Sequence, residues 1–147
     1  MPSSCWGTSC KNPETALELE SLVDRRLAGE PVAYLIGHRE FMGHDFRVGQ
    51  GVLVPRPETE MLVELAVEMI ERRWPTGPVR VLDVGTGSGA IALSLALLTS
   101  ERVRIAASDI SSDALRFARM NRAHLGLEHR VTLIRGDLLA WTCGPWD

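Results

Sequence analysis

The sequence lacks the features that mark membrane, secreted and metal-binding proteins. Its longest mainly apolar run, Ala90–Leu98, is far shorter than the ~20 residues that a helix needs to cross a bilayer. The first dozen residues contain no apolar segment of the kind found in secretory signals. The 3 cysteines form no Cys-x-x-Cys pair and the 4 histidines show no ligand spacing, so we expect no metal site. These absences favour a reducing, cytoplasmic location and no membrane partner.

The chain also has no excess of positive charge. Its 16 Lys and Arg residues are balanced by 19 Asp and Glu residues, and the formal net charge is −3. Proteins that bind nucleic acid broadly carry a basic face, so we expect no direct nucleic-acid partner. Apolar residues make up 45% and charged residues 24% of the 147 residues. These fractions are ordinary for a globular domain, and they exclude a disordered polar tail, a collagen-like chain and a disulfide-stabilised miniprotein.

The N-terminal third of the sequence predicts one helix and one β-hairpin. Asn12 can cap a helix whose apolar residues recur at helical spacing, and Gly29 with Pro31 ends it. Residues 40–54 contain β-forming residues on both sides of Gly49-Gln50-Gly51. We therefore predict a hairpin that turns at these three residues.

A second helix follows a proline-rich break. Pro55-Arg56-Pro57 ends the extended segment, and Glu58 opens a helix that Trp74-Pro75 terminates. Proline and early acidic residues are typical of a helix start, which is the purely structural explanation of this segment. The apolar residues recur at helical spacing and predict one buried face. They are Leu62, Leu65, Ala66, Met69 and Ile70.

The remaining sequence alternates strands with helices. The predicted strands are Val79–Val84, Val103–Ser108 and Val131–Ile134, and the helices between them are Ala90–Leu98 and Ser112–His124. This βαβ spacing predicts an α/β fold with a doubly wound parallel sheet of about three strands. We expect the first strand to lie at the centre of the sheet. A sheet this small leaves an exposed edge, which indicates either a tendency to aggregate or a missing neighbour.

The sequence DVGTGSG, Asp83–Gly89, lies between the first of these strands and its helix. Glycines allow a tight turn there and let a ligand approach the backbone closely. The dinucleotide fingerprint G-x-G-x-x-G requires glycine where this chain has Ala90 or Ala92, although its looser form admits alanine. The spacing D-x-G-x-G-x-G is instead typical of S-adenosylmethionine (SAM) methyltransferases, in which the loop holds a carboxylate and a ribose. A turn with a structural role alone is the alternative.

Acidic residues also follow the next two strands. Asp109 comes about 20 residues after the Gly-rich loop, where nucleotide-binding sheets place a carboxylate for ribose hydroxyls. A helix cap formed with Ser111 or Ser112 is its alternative role. Asp137 follows the third strand, where its carboxylate can accept a hydrogen bond from an adenine amino group, and Leu138 offers an apolar face. An ordinary loop aspartate is the alternative.

Five segments between Arg25 and Leu139 together narrow the interpretation. They are RRLAGEPVAYLIGHREFMGHDFRV, VLVPRPETE, VLDVGTGSGAIALSLA, SDISSDAL and RGDLL. In combination they resemble the peptide-chain release factor glutamine N5-methyltransferases, which are SAM-dependent enzymes. GTGSG alone indicates only a Rossmann-like methyltransferase, whereas GEPVAYLIG, EFMG and PRPETE are specific to the narrower group. Ribosomal-protein glutamine methyltransferases share the framework, but PRPETE favours the release-factor branch.

The resemblance implies a cofactor, a protein substrate and two sets of binding residues. The cofactor is SAM, and the partner is a peptide-chain release factor. The Gly-rich loop would contact SAM, Asp109 would hold its ribose, and Asp137 with Leu138 would flank its adenine. The proline-rich segment would line the approach of the substrate. The loop residues are Gly85, Thr86, Gly87, Ser88 and Gly89, and the approach residues are Pro55, Arg56, Pro57, Glu58 and Thr59.

The resemblance also divides the chain and shows one departure from the family. We interpret residues 1–12 as a disordered leader, residues 13–54 as the remnant of a substrate-binding region, and residues 55–147 as a partial SAM-binding domain. The family's catalytic Asn-Pro-Pro-Tyr, which orients the substrate amide, does not occur in this chain, so no catalytic residue is predicted. We expect an incomplete enzyme with weak SAM binding and no turnover. The alternatives are a methyltransferase of ribosomal proteins or nucleic-acid amino groups, and a non-catalytic SAM-binding module.

Overall fold

The structure is a computed structural model that describes residues 13–140, 142 and 146, with side chains described from residue 17 onward. The predicted leader, the Asn12 cap and the cysteines Cys5, Cys10 and Cys143 lie outside this part of the chain. Within the described residues, no helix is both long and apolar enough to span a bilayer.

Two helices open the described chain. Helix α1 spans Pro13–Leu27 and helix α2 spans Val32–Ile36. Gly29 lies between them with a φ of 94°, which confirms the predicted stop of the first helix. Helix α2 was not predicted because 5 residues are too few to show a helical period.

The β-hairpin lies earlier in the chain than the sequence predicted. Strand β1 (His38–Phe41) pairs antiparallel with strand β2 (His44–Arg47), and Met42-Gly43 forms the turn. Both turn residues have a positive φ, 51° and 74°, which is the type I′ geometry that matches the twist of a two-residue hairpin. The prediction that the hairpin turns at Gly49-Gln50-Gly51 was therefore wrong, although the chain does turn there, with the N–H of Val52 donating to the carbonyl oxygen of Gly49 at 3.3 Å.

Aromatic packing explains the position of the hairpin turn. A turn at residues 42 and 43 brings Phe41 and Phe46 together in an edge-to-face pair, with ring centroids 6.0 Å apart. Both side chains are almost completely buried. The apolar contact of these two rings favours the register in which the strands pair around Met42-Gly43, and the later glycines turn the chain outside the hairpin.

A parallel sheet of three strands forms the centre of the described chain. Strands β3 and β4 pair from Val79 with Val103 to Val84 with Ser108, and β5 then pairs with β4. Helix α4 contacts both α3 and α5, and α4 and α5 both pack on the sheet. The bounds are α3 Glu58–Arg73, β3 Val79–Val84, α4 Ala90–Leu98, β4 Val103–Asp109, α5 Ser112–His124 and β5 Val131–Arg135.

The strand order differs from the predicted one. The order is β3-β4-β5, so the second strand is central and the first lies at an edge. A central first strand requires a later strand on its other side. The described residues after Val84 contribute two strands to this sheet, and both lie on the same side of β3. The expectation of a central first strand was therefore wrong for the part of the chain that the structure describes.

Helix α3 has the predicted start and end, but of its predicted apolar face only Ala66 and Ile70 pack against the core. Ile70 is buried, as is Val63. In contrast, Leu62, Leu65 and Met69 are 54%, 55% and 55% exposed. The main packing partner of α3 is α4, so only a narrow side of the helix is covered.

Candidate functional site

The Gly-rich loop, residues 85–89, connects β3 to α4 at the carboxyl end of the sheet. The backbone N–H groups of Gly85 and Thr86 donate to the carbonyl oxygen of Ser108 at 2.8 and 2.9 Å. This pair of hydrogen bonds holds the start of the loop against the end of β4. The carboxyl end of an open parallel sheet is where such folds bind ligands, so the loop lies where a cofactor site is expected.

Two glycines of the loop have different reasons for lacking a side chain. Gly89 has a φ of 84°, and a Cβ there would lie 2.9 Å from Cδ1 of Leu93. Gly85 has a φ of 77°, and a Cβ there would meet nothing within 4 Å. The loop is thus packed tightly where α4 begins and open where β3 ends.

Asp83 and Thr86 form a hydrogen-bonded pair under the loop. The Thr86 hydroxyl donates to Oδ2 of Asp83 at 2.7 Å. Burial of the carboxyl raises the pKa of Asp83 above its ordinary value, the Thr86 hydrogen bond opposes this, and the charge of Asp109 adds to the rise. Two carboxyl groups therefore interact at this end of the sheet.

Asp109 connects the loop to the next helix. Its Oδ2 accepts from the backbone N–H of Gly87 at 2.9 Å, and its Oδ1 accepts from the N–H of Ser111 at 2.9 Å. The helix cap itself is Ser111, whose hydroxyl accepts from the N–H of Ala114 at 3.2 Å. Asp109 therefore supports the loop directly, and Ser111 performs the capping that was the alternative role of this segment.

Asp137 and Leu138 follow β5 and lie, like the Gly-rich loop, at the carboxyl end of the sheet. The N–H of Gly136 donates to the carbonyl oxygen of Asp109 at 3.2 Å, which places this segment beside the end of β4. Asp137 is exposed, and Leu138 is 70% exposed with a φ of 45°. Both residues therefore lie at the carboxyl end of the sheet, as the loop does, and their side chains are accessible to a ligand.

A cleft of about 200 Å³ joins the loop to the proline-rich segment. It brings together four of the predicted cofactor residues and three of the predicted approach residues. Gly89, Asp109, Asp137, Leu138, Pro57 and Glu58 do not line it. The residues that line it are Leu53, Pro55, Arg56, Thr59, Gly85, Thr86, Gly87, Ser88, Ala90 and Ile91.

A second cleft, of about 440 Å³, lies beside the first. The two share Leu53, Pro55 and Arg56, and the second adds Pro57 and Arg39 of the hairpin. The proline-rich segment therefore forms the wall between the loop and the N-terminal elements. In the part of the chain that the structure describes, no group of three or more His, Cys, Asp or Glu side chains has a metal-binding arrangement.

Comparisons with known proteins agree with this arrangement. A family model described as "PrmC N-terminal domain" matches residues 10–37, and one described as "Methyltransferase domain" matches residues 76–144. The release factor glutamine methyltransferase of Moorella thermoacetica is 48% identical across 92% of this chain, and that of Bordetella pertussis is 50% identical across 79%. The chain belongs to the release factor glutamine methyltransferase family. It covers 50% and 41% of the length of these two relatives, about half or less.

Solved structures show that this family member has a Rossmann-like methyltransferase fold. The tRNA m1G37 methyltransferase of M. jannaschii matches with a TM-score of 0.57 at 17% identity, covering 71% of this chain and 31% of that chain. The precorrin 8W decarboxylase of Methanobacterium thermoautotrophicum matches with a TM-score of 0.50 at 31% identity, covering 63% and 45%. The predicted fold class is confirmed.

Three residues near the site of this family member were not predicted from its sequence. Tyr34 donates from its hydroxyl to the carbonyl oxygen of Val52 at 2.5 Å, and Glu60 accepts from the N–H of Met42 at 2.8 Å. Asn121 is completely buried in α5 and makes three hydrogen bonds. One signal was present in the sequence, since Asn121 is a polar residue on the apolar face of an amphipathic helix.

Proposed function

We propose that this chain is the SAM-binding part of a methyltransferase that modifies the side-chain amide nitrogen of a glutamine in a peptide-chain release factor. The observation that carries the proposal is the shared cleft, in which Gly85–Ser88 face Pro55, Arg56 and Thr59. Direct transfer of a group requires that the donor and the acceptor are held next to each other. A cleft lined by both the cofactor loop and the substrate-approach segment meets this requirement. Because the proposed partner is a release factor, we also propose a cytoplasmic location.

The residues at the loop fit the chemistry of SAM. SAM supplies a methyl group on a positively charged sulfonium, beside an amino acid group and a ribose. The interacting carboxyl groups of Asp83 and Asp109 provide negative charge at this end of the sheet, which favours a cationic ligand. The open backbone at Gly85 allows close approach. Asp109 would take the ribose hydroxyls, and Asp137 with Leu138 would take the adenine.

On the substrate side, the proline-rich segment would orient the protein substrate. The two prolines restrict the backbone, so the guanidinium of Arg56 is carried on a stiff segment at the cleft. Pro57, Glu58 and Thr59 then lead into α3. The catalytic Asn-Pro-Pro-Tyr of the family does not occur in this sequence, so we expect these 147 residues alone to bind SAM without turnover.

Calorimetric titration of the 147-residue chain with SAM tests the first part of this proposal. We expect saturable binding, weakened about tenfold in Asp109→Asn because a charged hydrogen-bond acceptor for the ribose is lost. Asp24→Asn, an exposed aspartate on α1, is the matched control and should bind like the unmodified chain. Absence of SAM binding at millimolar concentration would overturn the proposal, as would equal binding by the two variants.

Methyl transfer from labelled SAM tests the second part. The chain is incubated with labelled SAM and a release factor, and in parallel with RNA and DNA. We expect no incorporation with this chain alone and glutamine labelling of the release factor by a form that carries Asn-Pro-Pro-Tyr. Labelling of nucleic acid but not of the release factor by that form would contradict the proposed substrate.

A further inference from the structure

Asn121 lies at the junction of three segments that are distant in sequence. Its side-chain Oδ1 accepts from the backbone N–H of Arg47 at 2.7 Å. Its Nδ2 donates to the carbonyl oxygen of Arg47 at 3.1 Å and to that of Ser88 at 2.9 Å. Arg47 ends strand β2 of the hairpin, and Ser88 belongs to the Gly-rich loop. One buried amide on α5 thus bonds both the hairpin and the loop.

The chemistry of this junction is specific to an amide side chain. The site presents one backbone donor and two backbone acceptors to the side chain, and Asn supplies one acceptor and two donor hydrogens. Its pairing with both backbone groups of Arg47 reproduces the hydrogen bonds that a neighbouring strand would make. Aspartate would keep the acceptor but place a carboxylate against two carbonyl oxygens.

Apolar packing joins the same segments a second time. Val48 and Val52, which follow the hairpin, pack with Ala114 and Phe117 of α5. Val52 also faces the loop, since a Cβ built on Gly87 would lie 3.8 Å from Cγ2 of Val52. The hairpin, α5 and the loop therefore form one packed unit. Within it, Asn121 makes buried hydrogen bonds from α5 to the hairpin and to the loop.

We propose that Asn121 is a positioning residue that holds the Gly-rich loop in its ligand-binding shape and couples it to the hairpin. Ordering of either segment then stabilises the other through the shared amide. The identity of the loop ligand rests on the proposed function, whereas the coupling between loop and hairpin does not.

Hydrogen exchange of the chain without ligand tests the coupling itself. Asn121→Ala removes all three hydrogen bonds, and alanine suits the helix, so α5 should persist. We expect the amides of Gly87 and Gly89 and that of Arg47 to exchange about tenfold faster or more. Val103→Ala, at the opposite end of the sheet and fully buried, is the control for general destabilisation. Equal acceleration of these amides in both variants would overturn the proposal.

Asn121→Asp distinguishes the hydrogen bond that the side chain accepts from Arg47 from the two hydrogen bonds that it donates. It keeps the acceptor for the Arg47 N–H and loses both donor contacts, so the loop amides should exchange faster while the Arg47 amide stays protected. Protection of the loop equal to that of the unmodified chain would contradict the proposal. If Asn121→Asp does not fold, the comparison of Asn121→Ala with Val103→Ala still decides the coupling.

SAM titration adds a readout that a purely structural residue would not change. At a temperature where all variants are folded, SAM should bind about tenfold more weakly to Asn121→Ala and normally to Val103→Ala. Unchanged affinity in Asn121→Ala would overturn the positioning role. Failure of the unmodified chain to bind SAM would contradict the proposed function instead, and the exchange measurements would still decide the coupling.

Discussion

Two neighbouring helices, α4 and α3, differ in how far their apolar side chains are buried, and α4 is also the more apolar of the two. Helix α4 follows the Gly-rich loop, and its residues Leu93, Leu95 and Ala96 are almost completely buried. Helix α3 packs against α4, yet Leu62, Leu65 and Met69 are each more than half exposed. The difference follows from composition and from position, because α3 carries the charged residues and α4 lies between α3 and α5, whereas the described residues cover only one side of α3.

This difference shows which contacts the described chain completes by itself. At the loop, the backbone hydrogen-bonds to Ser108 and Asp109, and the side chain of Asn121 hydrogen-bonds to Ser88. On α3, and at Val84 of the edge strand β3, apolar surface is exposed to water. Scattered exposed apolar residues are normal, but a stripe along one helix face marks an unfilled contact. The cofactor side of the molecule is thus more nearly complete than the α3 side.

The largest expected effect comes from deleting the same side chain on each helix. Leu93→Ala should lower the free energy of unfolding by about 3 kcal/mol, because it leaves a cavity in a completely buried site. Leu65→Ala should change it by less than about 0.5 kcal/mol. Urea unfolding of both variants provides the measurement, and the identical substitution cancels helix propensity. Equal losses would show that the stripe on α3 is buried in solution.

A smaller effect on stability is expected from adding a side chain to Gly89, and a control glycine distinguishes backbone strain from steric crowding at the loop. Gly89→Ala should cost about 2 kcal/mol or more, because the new Cβ meets Leu93 in addition to adopting a positive φ. Gly29→Ala is the control, since its φ is also positive but a Cβ there meets nothing within 4 Å. Strain alone should cost about 1 kcal/mol. A Gly29 variant as unstable as the Gly89 variant would argue against tight packing at the start of α4.

A third prediction uses the raised pKa of Asp83. Burial makes the folded chain hold this proton more strongly than the unfolded chain, so the ionised carboxylate lowers stability once the pH exceeds the raised pKa. Asp83→Asn removes this titration. Its stability relative to the unmodified chain should therefore increase as the pH rises from 3 to 7.

The slope with pH is the diagnostic quantity for Asp83. The amide of Asp83→Asn does not titrate, and its oxygen can still accept from Thr86, so its own contribution to stability is constant with pH. Thermal unfolding of both forms between pH 3 and pH 7 provides the comparison, with Asp24→Asn as the exposed control. A difference that stays constant across this range would show that the pKa of Asp83 is the same in the folded and unfolded chains.

Sequence patterns predicted the parts of this molecule that depend on local periodicity. The bounds of β3, α4 and α5 coincide with the predicted segments. Each of these bounds is marked by a change in the spacing of apolar residues that are close together in the sequence. The hairpin turn was misplaced because its position depends on the contact between two aromatic rings. The edge position of β3 depends on the number of strands available to the sheet.

The candidate site shows the same limit at the level of single residues. The Gly-rich loop and Pro55-Arg56-Pro57 were recognisable as motifs, and the structure places both on one cleft. The roles assigned to Asp137 and Leu138 stay predictions. Asn121 was missed because its partner Arg47 is 74 residues away in the sequence. The helical pattern marks Asn121 as a polar residue on an apolar face, but it does not identify hydrogen-bond partners in distant segments.

The smallest effect concerns the hydrogen bond that joins Glu60, at the start of α3, to the hairpin turn. Glu60 accepts from the N–H of Met42 at 2.8 Å, and Met42 occupies a turn position with a positive φ. Glu60→Gln keeps an acceptor but loses its charge, so it should cost about 0.5–1 kcal/mol and speed exchange of the Met42 amide. Glu64→Gln, one turn further along α3 and exposed, should have no measurable effect on either quantity. If both variants behave alike, the hydrogen bond to the hairpin does not stabilise the start of α3. The first turn of α3 would then be as weakly held as the rest of its exposed face, in contrast to α4.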